Sequence, residues 1–408
     1  MNVFDELKNR GFVEQCSSEE NVRELLSEST TCYIGFDPTA DSLHCGSLVP
    51  IMALAHMQRY GHRAIALMGG GTAMIGDPSG KSEMRQILSA EEIDSNGKKL
   101  AKQIGRFLDF SKDTAVVMDN AEWLRPLNYI EFLRDIGRHF SVNKMLAAES
   151  YRQRLETGLN FIEFNYMLLQ SYDFLHLYRE RDCRIQMGGN DQWGNILAGT
   201  DLIRRVEGGQ AEALTFPLLT TATGQKMGKT EGGAIWLDGA RTSPYEYYQY
   251  WINSDDRDVE RFLLLFTFLP PDEIRELCEV EGADIRKAKE ILAYEATGLL
   301  HGKDEAEKAR SAARALFSGD GSVDEGVPTH RIEPSVLEEG VAAFVLLADS
   351  GLVDSRSEAR RLIKQGGAYI NDDRIESFDQ KITDADISGG AILLRAGKKR
   401  YLKVVRKE

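Results

Sequence analysis

Three separated stretches carry side chains suited to handling a nucleotide and a small zwitterion. HCGS (His44 to Ser47) follows the strand-like run TCYIGF and leads into the helical pattern LVPIMALAHMQR. A helix start suits phosphate: its end is positive, its amides point outward, and His44 adds a donor. Gly46 has no side chain, so a base or ribose can lie against the backbone. KMGKT (Lys226 to Thr230) begins 182 residues after His44, in a glycine-rich loop where Lys226, Lys229 and Thr230 can fold over phosphates. FNYMLLQSYDF places Tyr166, Gln170 and Asp173 at i, i+4 and i+7, on one face of a helix with apolar neighbours.

That helix face suits a zwitterion bearing a phenol. Tyr166 and Gln170 can bind an ammonium, and Asp173 can accept from a phenol hydroxyl. Tyr33, late in the first strand, offers a second partner for the hydroxyl. Asp77, in GDPSG, is an acceptor for the ammonium. Gln186 and Gln192, flanking MGGND, can hold a carboxylate and a ribose. Lys81 and Arg85, at i and i+4, add cations from one helix face.

Two near-matches are set aside. GDPSGKS and GQKMGKT each have three residues between their glycines where a phosphate-binding loop needs four, which changes the amides that converge on phosphate. After Gly69 and Gly71 the third position of a dinucleotide fingerprint is Met74.

Strands and helices must bring these groups together. TCYIGF, RAIALMGGG, TAVVMDN and CRIQMGG read as strands, separated by helix-length segments, so a parallel α/β sheet is expected. Ligands of such sheets sit beyond the carboxyl ends of the strands, where Asp37, Gly69 to Gly71, Asn120 and Gly188 to Gln192 fall. From Ser243-Pro244 the pattern is helical to about Phe317. A Gly/Pro/acid-rich linker follows, and then a short helix, SRSEARRLIKQGG, with strand-like segments.

The 408 residues suggest more than one domain. No apolar run is long enough to span a membrane, and the charged start MNVFDELKNRGFVEQ reads as untargeted. Five scattered cysteines without a C-x-x-C pair argue against a zinc site and suit a reducing cytoplasm. The net charge of −14 is uneven: residues 341–408 carry +3 and the remainder −17. Arg356, Arg360, Arg361 and Lys364 fall on one short helix, a basic face for phosphate.

HCGS and KMGKT, in this order and setting, resemble the HIGH and KMSKS signatures of class I aminoacyl-tRNA synthetases. With YIGFDPTADSLHCGS, GDPSGKSEMR, FNYMLLQSYDF, QMGGNDQWGN, KMGKTEGGAIWLD and SRSEARRLIKQGGAYIN, the sequence resembles the bacterial-type tyrosyl-tRNA synthetases over essentially its whole length. The resemblance implies a Rossmann-like parallel-sheet α/β catalytic domain (1–220) and a KMSKS-type loop and connection (221–245). An α-helical anticodon-side domain (246–320), a linker (321–340) and a C-terminal α+β S4-like RNA-binding domain (341–408) would follow. It implies ATP with Mg²⁺ and no tightly bound, protein-ligated metal. It also implies L-tyrosine and tRNA(Tyr) as partners, and a cytoplasmic homodimer.

By the same resemblance, Tyr33, Asp77, Tyr166, Gln170, Asp173 and Gln186 bind tyrosine. Asp37, Thr39, His44, Gly46, Ser47, Asp191, Gln192 and Lys229 meet the nucleotide. His44, Lys81, Arg85, Lys226, Lys229 and Thr230 act on the phosphates, and Arg356, Arg360, Arg361 and Lys364 meet tRNA. Ser47 replaces the second histidine of HIGH, and Gly228 replaces the serine of KMSKS, leaving backbone but no hydroxyl. A tryptophan-specific synthetase, a nucleotidylyltransferase and a non-enzymatic RNA-binding protein are the alternatives. The first would lack the Tyr33/Asp173 pair, the second KMGKT joined to a basic tail, and the third any reason for His44, Lys226 and Lys229 together.

Overall fold

The computed structural model describes residues 2–79, 88–224, 227–230, 233–279, 285–318, 327–397 and 400–407. It divides into two compact units, 1–238 with 255–281, and 239–254 with 282–408.

The first unit is built on a six-stranded sheet. Its strands are β1 (Gln15–Cys16), β2 (Thr31–Phe36), β3 (Arg63–Met68), β4 (Ala115–Asp119), β5 (Cys183–Gly189) and β6 (Glu212–Phe216). Their order is β1-β6-β5-β2-β3-β4. All neighbours are parallel except the short edge strand β1, which pairs antiparallel with β6. β3 and β6 are nearly unbroken runs of buried residues, as expected for strands covered on both faces. The strand order reverses at β2, which has β3 on one side and β5 on the other, so a crevice opens beyond the carboxyl ends of these three strands.

Two helices frame that crevice. Leu48–Arg59 follows β2 and is buried along most of its length. Phe161–Arg181 precedes β5; a capping box between Asn160 and Glu163 starts it, and Asp182 in the left-handed region ends it. Met167, Leu168, Phe174, Leu175 and Leu177 of this second helix pack with Tyr33, Trp123 and Phe132 in one apolar cluster.

In the second unit, helices Pro244–Ile252, Ile285–His301 and Lys303–Ser318 pack together. A five-stranded sheet with helices Ala343–Asp349 and Arg356–Lys364 completes it. Residues 255–279 group with the first unit. Within the expected linker, Thr329–Ile332 forms an edge strand parallel to Arg400–Arg406, and Leu337 enters the core. The partner of that strand lies some seventy residues downstream, so local composition carries no trace of the pairing.

Candidate active site

The helix Phe161–Arg181 delivers Asp173 into the crevice with 2% of its surface exposed. Its Oδ1 accepts from Trp123 Nε1 and its Oδ2 from Asn120 Nδ2, both at 2.8 Å. Asn120 also donates to Thr72 Oγ1 (3.0 Å), and Thr72 donates to Asp37 Oδ1 (2.8 Å). The hydroxyl of Tyr166 donates to Asp37 Oδ2 at 2.9 Å. One hydrogen-bonded chain thus links four segments distant in sequence. It depends on glycine at 69: a Cβ there would sit 2.0 Å from Asp37 Oδ1. Burial pushes the Asp173 carboxyl up to about 8; the Asn120 and Trp123 donors oppose the shift, while the charges of Asp37 and Asp119 add to it.

Tyr33 enters from β2, opposite Gln186 of β5 in the strand register. Its ring lies 5.5 Å from that of Phe174. Burial, and then the nearby charge of Asp173, holds its phenol well above the usual range. The Tyr33 hydroxyl, Gln170 Oε1 and Gln186 Oε1 are buried without a hydrogen-bond partner among the described residues. Leaving buried polar atoms unpaired costs about 1–3 kcal/mol each. Two acceptors and a hydroxyl held this way fit a polar ligand that satisfies them.

Asp77, expected to face the ammonium, is also buried. Its Oδ1 accepts from the Ser79 amide (2.9 Å) and its Oδ2 from Gln192 Nε2 (2.7 Å). Burial raises this carboxyl to about 6 despite these donors. Asn195 Nδ2 bonds Gln192 Oε1 at 3.2 Å, fixing the amide that faces Asp77. Asp191 and Gln192 occupy a 3-10 turn directly after β5. Thr39 follows β2, its amide bonded to the Asp37 carbonyl.

HCGS and KMGKT meet in space. His44 caps a 3-10 turn, Cys45–Ser47, that leads into Leu48–Arg59. Gly228 has φ +77°, and a Cβ on it would approach the Gly46 nitrogen at 3.0 Å and Cys45 Cβ at 3.2 Å. The Ile235 amide bonds the Gly228 carbonyl (2.8 Å), and the Cys45 amide bonds the Ile235 carbonyl (2.9 Å). The two signatures are therefore stitched together through residue 235. Lys81, Arg85 and Lys226 lie outside the described residues; Lys229 and Thr230 are described in their backbone alone, as a short strand paired with Gly233–Ala234.

One expectation is corrected here. The first turn does not offer free amides. Those of Cys45, Gly46, Ser47 and Leu48 bond Ile235 O, His44 Nδ1, His44 O and Cys45 O. Because His44 Nδ1 accepts from Gly46 at 2.9 Å, the neutral ring carries its proton on Nε2. The helix start thus presents an imidazole donor and a dipole rather than a nest of amides. The Ser47 hydroxyl makes no capping bond.

Sequence reasoning placed Asn120 at a strand end but gave it no role, and it missed Trp123 and Thr72. Trp123 sits four residues past β4 and is stacked on His176 at 4.2 Å. Nothing in its local pattern marks it as a donor to Asp173. Among the described residues, no group of three histidines, cysteines or acids is disposed to hold a metal ion.

On the second unit, Arg356, Arg360, Arg361 and Lys364 are all exposed, while Ala359 and Ile363 face the core. Arg356 pairs with Asp349 at 3.2 Å, and Arg360 lies 4.0 Å from the Phe344 ring centroid. Arg361 and Lys364 complete a basic face.

Residues 26–318 match the family model of tRNA synthetases class I (W and Y). Residues 322–404 match that of the tyrosine–tRNA ligase SYY-like C-terminal domain. The chain is 56% identical over 428 residues to a tyrosine–tRNA ligase of Desulfatibacillum aliphaticivorans, covering 100% of this chain and 99% of that one. It is 55% identical to a tyrosine–tRNA ligase of Caldanaerobacter subterraneus over the whole of both chains. Among solved structures, a C-terminally truncated mitochondrial tyrosyl-tRNA synthetase of Aspergillus nidulans matches with a TM-score of 0.70 and 30% identity. That match spans 78% of this chain and 94% of the other.

Proposed function

The chain belongs to the class I tRNA synthetases of the tryptophan and tyrosine group, and on that premise we propose that it is a tyrosine–tRNA ligase. It joins L-tyrosine to ATP as tyrosyl-adenylate with loss of pyrophosphate, then passes tyrosine to the 3′ end of tRNA(Tyr). The observation that carries the choice of tyrosine is the buried pair of Tyr33, whose hydroxyl has no partner among the described residues, and Asp173, fixed by two donors. A phenol hydroxyl satisfies both, whereas an indole has no hydroxyl to give.

Asp77, Tyr166, Gln170 and Gln186 hold the ammonium and carboxylate ends of the amino acid. The amino-acid carboxylate attacks the α-phosphorus in line as pyrophosphate leaves, so the protein's task is positioning and charge stabilisation. His44 donates from Nε2 to the phosphates. Gly46, Asp37, Thr39, Ser47, Asp191 and Gln192 seat the nucleoside. Lys81, Arg85, Lys226, Lys229 and Thr230 neutralise the leaving group. Magnesium enters with ATP as its complex.

We assign Arg356, Arg360, Arg361 and Lys364 to tRNA. Tyr129, Ile130, Val142, Phe161 and Ile162 are large apolar side chains exposed between residues 129 and 162, and a second copy of the chain would cover them in a homodimer. Five cysteines, none of them in a disulfide, suit the cytoplasm. ATP–pyrophosphate exchange with each of the twenty amino acids tests the assignment. Exchange with tyrosine alone is expected; exchange with tryptophan, or with none, overturns it. Replacing Arg361 and Lys364 by glutamate should impair tRNA charging and spare exchange; unimpaired charging would remove that face from tRNA binding.

A further inference from the structure

The KMGKT loop leaves the sheet after β6, and its root is held by a segment that lies beyond it in sequence. The Ala222 amide donates to Asp258 Oδ2 at 2.7 Å. Arg261 Nη2 donates both to Asp258 Oδ1 and to the Thr220 carbonyl, each at 2.6 Å. Asp258 is 2% exposed and stands at the N-cap of helix Val259–Phe266. An aspartate there ordinarily accepts from amides of its own first turn. Asp258 makes no such bond, and both its oxygens serve the loop root and Arg261.

The far limb of the loop is fixed differently, by Met227 bonded to Leu219 O and by Gly228 seated on Gly46. Ala222 is four residues before Lys226 and seven before Lys229. Anchoring residues 220 and 222 therefore sets the point from which both lysines reach.

We propose that Asp258 and Arg261 are positioning residues for amino-acid activation, pinning the root of the KMGKT loop so that its lysines meet the leaving pyrophosphate. The proposal rests on the ligase assignment and extends it to a segment outside the signatures. Neither residue touches substrate, so the effect belongs to the activation rate and not to tyrosine binding.

The test uses full-length protein carrying Asp258→Ala or Arg261→Met, each alone and combined with Lys229→Ala. Single-turnover adenylate formation and tyrosine Kd by equilibrium dialysis are the readouts. Asp258→Ala should slow adenylate formation about tenfold, equivalent to about 1.4 kcal/mol in the barrier, with tyrosine Kd within about twofold. Arg261→Met, at a side chain 41% exposed, keeps the test alive if the aspartate variant folds poorly, and it should show a smaller loss of the same kind. In the Lys229→Ala background both effects should shrink, since the anchor acts only through the loop. Unchanged rates, a parallel loss of tyrosine affinity, or full additivity with Lys229→Ala overturns the proposal. The parent enzyme is assayed alongside: its failure to activate tyrosine would sink the ligase assignment, whereas an active parent with unaffected variants sinks only the anchor.

Discussion

Asp173→Asn gives the sharpest test of the phenol site. The parent carboxylate accepts from both Asn120 and Trp123 at 2.8 Å and keeps acceptor capacity for a ligand. Asparagine has one acceptor oxygen and two donor hydrogens. It can satisfy only one neighbour well, and its amide nitrogen must face the other donor. The unpaired buried donor costs about 1–3 kcal/mol of stability. The parent carries an opposing cost, because burial has raised its carboxyl to about 8. The folded state then holds this proton more tightly than the unfolded chain does. Its contribution to stability is full at low pH and falls as pH rises from the usual carboxylate range through about 8. The variant lacks this fall, so its Tm deficit should be largest near pH 5 and shrink toward pH 8.

Binding follows from the same geometry. Loss of a hydrogen bond to a charged acceptor is worth about 1.5–3 kcal/mol, so tyrosine Kd should rise roughly 10- to 150-fold. The KM for ATP should stay within about twofold, because no nucleotide contact changes. Phenylalanine, which never engages the carboxylate, should be activated about as well as before, narrowing the preference for tyrosine. Equilibrium dialysis and pyrophosphate exchange measure all three. Equal losses for tyrosine and ATP, or a fall for phenylalanine as steep as that for tyrosine, would refute the phenol role of Asp173.

Tyr33→Phe removes a buried hydroxyl that has no partner among the described residues, so the ligand-free Tm should hold or rise while tyrosine affinity drops by about 0.5–1.5 kcal/mol; a lower Tm with intact affinity would contradict this. Tyrosine affinity should rise with pH in two steps, near 6 as Asp77 ionises to face the ammonium and toward 8 as Asp173 ionises; a flat profile between pH 5 and 8 would count against both roles. Gly228→Ser restores the family's common signature residue at a backbone with φ +77° and places a Cβ 3.0 Å from the Gly46 nitrogen. With left-handed backbone costing about 1–2 kcal/mol for a residue with a Cβ, adenylate formation should slow severalfold, and a rate at or above the parent's would show that the loop acts from another position.

The sequence by itself determined whatever is local. Strand runs such as TCYIGF and RAIALM, the helix carrying Tyr166, Gln170 and Asp173, and the two signature segments were all legible, because periodicity and short spacings fix element type and face. The basic face of Arg356–Lys364 was legible for the same reason. Tertiary structure decided what depends on approach between distant segments. Only folding puts Trp123 and Asn120 on Asp173 and sets Gly228 upon Gly46. Only folding joins Thr329–Ile332 to a strand seventy residues away and brings Asp258 to the root of the lysine loop. It also brought the Ile235 carbonyl to the Cys45 amide, while local turns took up the amides of Gly46, Ser47 and Leu48. Hydrogen bonds over such separations leave no periodic mark in the chain; they exist only once a packed core holds their partners within about three ångströms.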